Sequence, residues 1–335
     1  MVSGFESLSR NQIAWRYRLG VRTDGSQPSD RGSNPRSATS LILAGQAPRG
    51  APVTPRLALA LLLPLAACGA PAATRAKGPV ARAVDASLAS GTERFDNALW
   101  DHLLAEGTRD GLVQYLYMKD RRDRLEAYLS AVAAAPLDRL APGHLEALLI
   151  NAYNASTVLS ILDHPRVTSI KEIPGVWDAA KHRIGGFDLT LDEIEHRILR
   201  PFFRDPRIHF VLNCASKSCA PLPPWAVDGD RIDAQLEERT RSFLGDPRNV
   251  KVERGGLLLS KYFDWYGADF TTEGWRGAAP SAAEYVARYA SPEVAAFIQS
   301  KRGRPAIGYL EYDWSLNAAP LPAPVPPQAP SPPGP

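Results

Sequence analysis

Cysteine is scarce in this chain: three residues in 335, at positions 68, 214 and 219. So few cannot staple a small disulfide-dense fold. The Cys214–Cys219 spacing is not the C-x-x-C of thioredoxin-like redox motifs, and with His196 and His209 it matches no familiar zinc pattern. Long apolar runs are also missing. The longest, Leu57 to Cys68, falls short of the roughly 20 residues that a membrane-crossing helix needs. There is no internal repeat. Nor is there an excess of charge of one sign: 39 basic residues face 36 acidic ones, a formal +3. The first 67 residues hold eight arginines and three acids, which leaves 31 basic and 33 acidic residues beyond them. That near-balance argues against a nucleic-acid partner.

The N-terminal third is mostly not domain-like. Residues 1–52 show no sustained periodicity. Gly4-Phe5-Glu6-Ser7 and Gly32-Ser33-Asn34-Pro35 read as two frames of one transfer-RNA T-arm string, so this segment is expected to be a spurious extension, with translation starting near Val53. Residues 53–68 have the form of a signal peptide: Arg56, an apolar run, then small residues. Leu65-Ala66-Ala67-Cys68 is similar to the lipobox of bacterial lipoproteins, whose cysteine is acylated, with palmitate for example, and becomes the mature N-terminus. On that reading the chain is extracytoplasmic and held to a membrane through lipid on Cys68, and Gly69 leans toward the periplasmic face of an outer membrane. Residues 69–92, rich in Ala, Gly and Thr, read as a flexible tether, and residues 318–335, with nine prolines, as a disordered tail.

Between them, residues 93–317 carry the periodicity of one α+β domain. It has a long buried central helix, a small mixed sheet and a helical periphery. Pro142 suits a helix's first turn, and no charge occurs from Ala147 to Leu162, so this helix is apolar nearly all round and therefore buried. It nevertheless holds Asn151 and Asn154, three apart on one face. Those amides either brace neighbouring loops or serve chemistry. Gly185-Gly186 and Gly255-Gly256 mark two hairpins. Thr190 and Glu193 make a capping box that opens a helix bearing Glu195 and His196. Ile208–Leu212 reads as a short buried strand feeding Asn213, Cys214 and Cys219. Tyr262, Phe263, Trp265 and Tyr266 read as core.

Several of these pieces together resemble a known family, the domain of unknown function 547. They are Ile150-Asn151-Ala152-Tyr153-Asn154, Asp192 to Arg200, and Asp205 to Phe210 leading through Asn213-Cys214 to Ser218-Cys219. Leu259 to Tyr266 and Tyr312 to Asn317 complete the set. The resemblance implies glycine where Ala215 stands and proline directly after the second cysteine, where this chain has Ala220. It implies no activity. The buried helix beside a small sheet is also similar to papain-like and transglutaminase-like folds, though there the cysteine precedes the histidine.

Chemistry must come from the residues. Cys219 is the expected nucleophile, with His209 or His196 as base, Glu195 or an asparagine orienting the imidazole, Cys214 beside it, Asn213 or Asn151 holding an oxyanion, and Asn154 a further candidate site residue. That constellation suits a hydrolase or acyl/peptidyl transferase acting on an envelope peptide or amide, and it calls for no cofactor. The competing expectation is a non-catalytic binding or assembly module with a structural Cys214–Cys219 disulfide.

Overall fold

The helix from Pro142 to Asp163 is the axis on which the domain is built. Seventeen of its 22 residues are buried, His144 and Glu146 among them, so protein surrounds it on every side. Its N-terminus begins at Pro142, where a missing N–H costs nothing. It ends at His164, whose N–H reaches back to the Ile161 carbonyl, ahead of Pro165.

The computed structural model describes residues 73–320. The expected extension 1–52, the signal peptide 53–68 and nearly all of the proline-rich tail lie outside them. In chain order the elements begin with α1 (Pro79–Ser90), α2 (Ala98–Gly107), a short hairpin (Thr108–Arg109 with Leu112–Val113), α3 (Tyr115–Asp120) and α4 (Arg122–Ala133). The central helix, α5, comes next. It is followed by the hairpin β1 (His182–Ile184) and β2 (Phe187–Leu189), a π-helix (Glu193–Phe203), a 3-10 turn (Pro206–Phe210) and α6 (Ile232–Gly245). The sheet is mixed: β3 (Val250–Glu253) pairs antiparallel with β4 (Gly256–Leu259), and β5 (Ile307–Tyr309) lies parallel to β4. Short helices, α7 (Tyr262–Trp265), α8 (Gly267–Thr271), α9 (Ala282–Ala287) and α10 (Pro292–Ser300), make the crossover between β4 and β5. This is the α+β architecture that the sequence implied.

Three local expectations are corrected. The tether read over 69–92 contains helix α1, which packs on α5 and the π-helix. Val84 and Ser87 are fully buried on it, and the Ser87 hydroxyl donates to the Leu140 carbonyl at 2.6 Å. Its inward face (Val80, Ala83, Val84, Ser87, Leu88) repeats at helical spacing but is built from small residues, so composition disguised it.

The strand read over 208–212 is instead a 3-10 turn. Asp205 caps it by accepting the Arg207 N–H at 3.0 Å, and Pro206 supplies a fixed φ at its first position. The backbone bonds that a partner strand would have made go to Asn154. Its Nδ2 donates to the Val211 carbonyl at 3.0 Å, and its Oδ1 accepts the Asn213 N–H at 2.8 Å. Asn151 clamps Val227 in the same way, accepting its N–H at 3.0 Å and donating to its carbonyl at 2.8 Å.

The capping box forms as expected, Thr190 N–H to Glu193 at 2.9 Å and Glu193 N–H to Thr190 at 3.1 Å. The helix it opens, however, is wound as a π-helix around Pro201. Proline cannot donate the usual i−4 bond and crowds that carbonyl, and wider winding is one way to house it. Arg204, at φ 50, closes the helix in the left-handed region.

Replacing Asn154 with Ala leaves one buried carbonyl and one buried N–H unpaired. Urea unfolding is expected to show a loss of about 2–4 kcal/mol. A loss under about 0.5 kcal/mol, the size of an ordinary surface substitution, would show that the clamp contributes nothing.

Candidate active site

The central helix, the π-helix, the cysteine loop, α7 and the C-terminal segment surround one cavity of about 420 Å³. Glu195, His196, His209, Cys214 and Cys219 all line it, so the structure gathers the five titratable residues that the sequence singled out. The three asparagines are not among its lining residues. Asn151 and Asn154 are spent on the clamps described above. Asn213 donates to the Ala220 carbonyl at 2.8 Å and accepts from the Ala215 N–H at 3.0 Å and from Asn317 Nδ2 at 3.1 Å. Bonded in this way, Asn154 and Asn213 brace the cysteine loop and Asn151 braces the segment at Val227, and none of the three faces the cavity.

The two histidines have different bonding, and the difference decides their roles. An arginine can only donate, so the 3.1 Å contact from Arg200 to His196 Nδ1 occupies that imidazole's lone pair. The remaining His196 nitrogen, Nε2, carries the proton and stands 3.7 Å from Asp192. A carboxylate can only accept, so His209 Nε2 donates to Asp269 at 2.9 Å, which leaves His209 Nδ1 as a free acceptor. That nitrogen faces Glu195 Oε1 across 3.9 Å. Tyr266 stacks on the His209 ring at 4.0 Å and fixes its plane.

The orienting carboxylate is therefore Asp269 rather than Glu195. Asp269 is buried on α8 and bound in two places by Arg200, at 2.7 and 2.9 Å. Burial alone would raise its pKa, but the hydrogen bonds from His209 and Arg200 outweigh burial and hold the carboxyl below the ordinary range. No sequence motif marked Asp269. Its only visible signal is that it is an acid one residue before Phe270, in a run otherwise rich in aromatics and small residues.

The sulfurs lie 2.7 Å apart and are both free thiols. Each is served by a tyrosine. The Tyr262 hydroxyl accepts the Ala220 N–H at 2.9 Å and donates to Cys219 Sγ at 3.1 Å. The Tyr312 hydroxyl accepts from Ser216 at 2.9 Å and contacts Cys214 Sγ at 3.2 Å. A proline at position 220 would have no N–H to give Tyr262, so Ala220 fits this arrangement. Ala215, where the resemblance implies glycine, sits at φ 58, a strained left-handed position that Gly adopts without cost.

The pair shares its ionisation unequally. The hydrogen bond from Cys219, aided by Ser216 and Tyr312, outweighs burial and lowers the pKa of Cys214 below the ordinary thiol range. Burial first, then the neighbouring sulfur, pushes Cys219 well above it. Cys214 is half-buried while Cys219 is 4% exposed. Of the two sulfurs, Cys214 is thus both the more exposed and the one whose pKa is lowered.

The walls of the cavity are aromatic. Tyr262, Trp265 and Tyr266, expected as core, also line it, together with Trp177, Tyr312 and Trp314. The last two arrive on the C-terminal segment. That segment is tied to the cysteine loop by Lys217 N–H to Ser315, Ser218 N–H to Asp313 and Asn317 N–H to Ala215. Among the described residues, no group of three or more His, Cys, Asp or Glu is arranged to hold a metal ion.

Residues 137–244 match the family described as "Protein of unknown function, DUF547". The matched span holds the central helix, both histidines and both cysteines, and it ends before Tyr262, Asp269 and Tyr312. No curated protein and no solved structure matches the chain.

Iodoacetamide alkylation followed against pH is expected to show Cys214 reacting in a first step below the ordinary thiol range. Cys219→Ala, which removes the largest stabilising bond to the Cys214 thiolate, moves that step upward. An unmoved step would show that the second sulfur does not acidify the first.

Proposed function

We propose that this cavity is the active site of a cysteine-dependent hydrolase or acyl/peptidyl transferase acting on a peptide or amide of the cell envelope. Cys214 is the nucleophile, His209 the general base, and Asp269 the group that fixes the His209 tautomer. The observation that carries the reading is the free Nδ1 of His209 in the cavity that also exposes an acidified thiol. A nucleophile, a base and an orienter in one concavity are the parts that acyl transfer needs.

The chemistry then runs in two halves. His209 Nδ1 takes the proton of the Cys214 thiol, and the thiolate attacks the carbonyl carbon of the substrate. A carbon–sulfur bond forms as the carbon–nitrogen bond breaks, and the imidazolium returns its proton to the departing amine. Water or a second amine next attacks the thioester and gives its proton to His209. The sulfur leaves as thiolate and takes that proton back from His209, which restores the thiol and the free imidazole and closes the cycle. Cys219 keeps its proton throughout, with its sulfur 2.7 Å from the working one.

The 2.7 Å sulfur separation also favours a second reading, a non-catalytic binding or assembly module closed by a Cys214–Cys219 disulfide. That bridge forms when the two thiols give two protons and two electrons to an oxidant such as a small-molecule disulfide. Incubating the reduced protein with 4-nitrophenyl acetate separates the two readings. The enzyme reading expects a burst of nitrophenolate that Cys214→Ser abolishes and that His209→Ala slows by about 100-fold or more. A burst untouched by Cys214→Ser, or none at all from the reduced protein, rejects the enzyme.

The envelope setting rests on the leader 53–68 and its Cys68. Radiolabelled palmitate fed to expressing bacteria should enter the full chain and be lost in Cys68→Ser. Label retained in that variant, or never incorporated, contradicts a lipid anchor at Cys68.

A further inference from the structure

Taking the cavity as the acyl-transfer site proposed above, we infer that it selects a substrate segment carrying a positively charged alkyl amine. The ammonium lies at Asp192 and its methylene stem lies along the tryptophan wall. The substrate class is then a peptide with a lysine-like or diamino-acid side chain, rather than an acidic or a purely apolar one.

Three features of the cavity lead to this class. Its charge is of one sign. Asp192 and Glu195 both line it, while no lysine or arginine does. Arg200, a buried cation behind His196 and Tyr266, is held in two places by Asp269. Asp192 itself has no lysine or arginine ion-pair partner among the described residues; it stands 3.7 Å from the His196 imidazole, and the other charges acting on it are the acids Glu195, Asp178 and Glu193. It is half-buried, and its carboxyl is raised above its usual range, by desolvation first. A carboxylate in that condition gains from an incoming cation, because the cation replaces the hydration that burial removed.

The second feature is the wall. Trp265 and Tyr312 lie 4.8 Å apart, Tyr312 and Trp314 4.5 Å, and Trp177 meets Trp314 edge-on at 6.1 Å. Contiguous rings of this kind offer apolar area to methylenes and negative π faces to a cation. The exposed Lys171, which does not line the cavity, already stands over the Trp314 ring at 5.0 Å. The Trp314 ring thus already takes an alkylammonium contact from within the protein itself.

The third feature is location. The Asp192 N–H donates to the Trp177 carbonyl at 2.9 Å, so the acid and one end of the wall are joined through the backbone. Asp192 sits one turn before His196 on the same helical stretch. A ligand at the acid therefore lies in the cavity that Cys214 and His209 share, and its charged end is a handle on the reacting group.

Three of the chain's seven tryptophans line the cavity, so their fluorescence reports occupancy without any turnover. The full chain is titrated with 1,5-diaminopentane and, in parallel, with 1,5-pentanediol of the same length. The diamine is expected to give a saturable change that the diol does not give. Asp192→Asn is expected to weaken the diamine by about tenfold, the scale of one partly desolvated cation contact. Trp265→Phe, which keeps a ring, should weaken it less than Asp192→Asn does. Equal response to the diol, no saturable response to the diamine, or unchanged affinity in Asp192→Asn overturns the inference. Cys214→Ser should bind the diamine as the parent does. Diamine binding without acyl transfer therefore rejects the enzyme and keeps the ligand class, while acyl transfer without diamine selectivity rejects the ligand class alone.

Discussion

A buried carboxylate, that of Asp269, is the constraint on which the site depends. Removing a carboxylate from water is costly unless its lone pairs are bonded, and here Arg200 and His209 bond them from two directions. The three groups come from α8, the π-helix and the 3-10 turn, so one charge links three separate segments. The same contact sets the His209 tautomer, since a carboxylate can bind only a protonated nitrogen. Arg200, shared with His196, sets the opposite pattern on that second imidazole. Two histidines that look equivalent in sequence thereby become one free acceptor and one committed acceptor.

The sulfur pair follows a similar logic on a smaller scale. Two thiols 2.7 Å apart cannot both ionise cheaply, and the hydroxyls around them help decide which does. Tyr312 and Ser216 serve the sulfur nearer solvent, and burial keeps the proton on the other. Titration of such a pair belongs to the pair as a whole. The loop that carries it is held by Asn154 and Asn213, whose amides supply bonds that a sheet would otherwise provide. The conformation of the loop is therefore fixed by side chains from α5 and from within the loop, and the residue at φ 58 between the cysteines is tolerated because those bonds surround it.

Much of the fold was legible because its signals are local. The central helix announces itself through an uncharged run with Pro142 at its head. The capping box names both its partners, and two Gly-Gly pairs mark the hairpins that form. What was not legible depends on bonds between distant residues. Ile208–Leu212 has the apolar content of a strand, but the amide that satisfies its backbone lies on another helix, so the segment needs no strand partner. Helix α1 was hidden by its alanines. Five of the cavity's titratable residues were legible as a group because they cluster between positions 195 and 219. Asp269 was not, because an orienting carboxylate is chosen by space and carries no motif. The choice between the two cysteines was also out of reach, since it rests on burial and on two tyrosine hydroxyls far along the chain.

The central claim is that Cys214 carries the reaction, with its neighbour Cys219 held protonated. Peptide mass spectrometry of the reduced protein after brief exposure to 4-nitrophenyl acetate tests this most directly, because it reads the site of acylation itself. The account predicts an acetyl group on Cys214, absent when His209 is replaced by Ala. Acetyl on Cys219, or on neither sulfur, would contradict it.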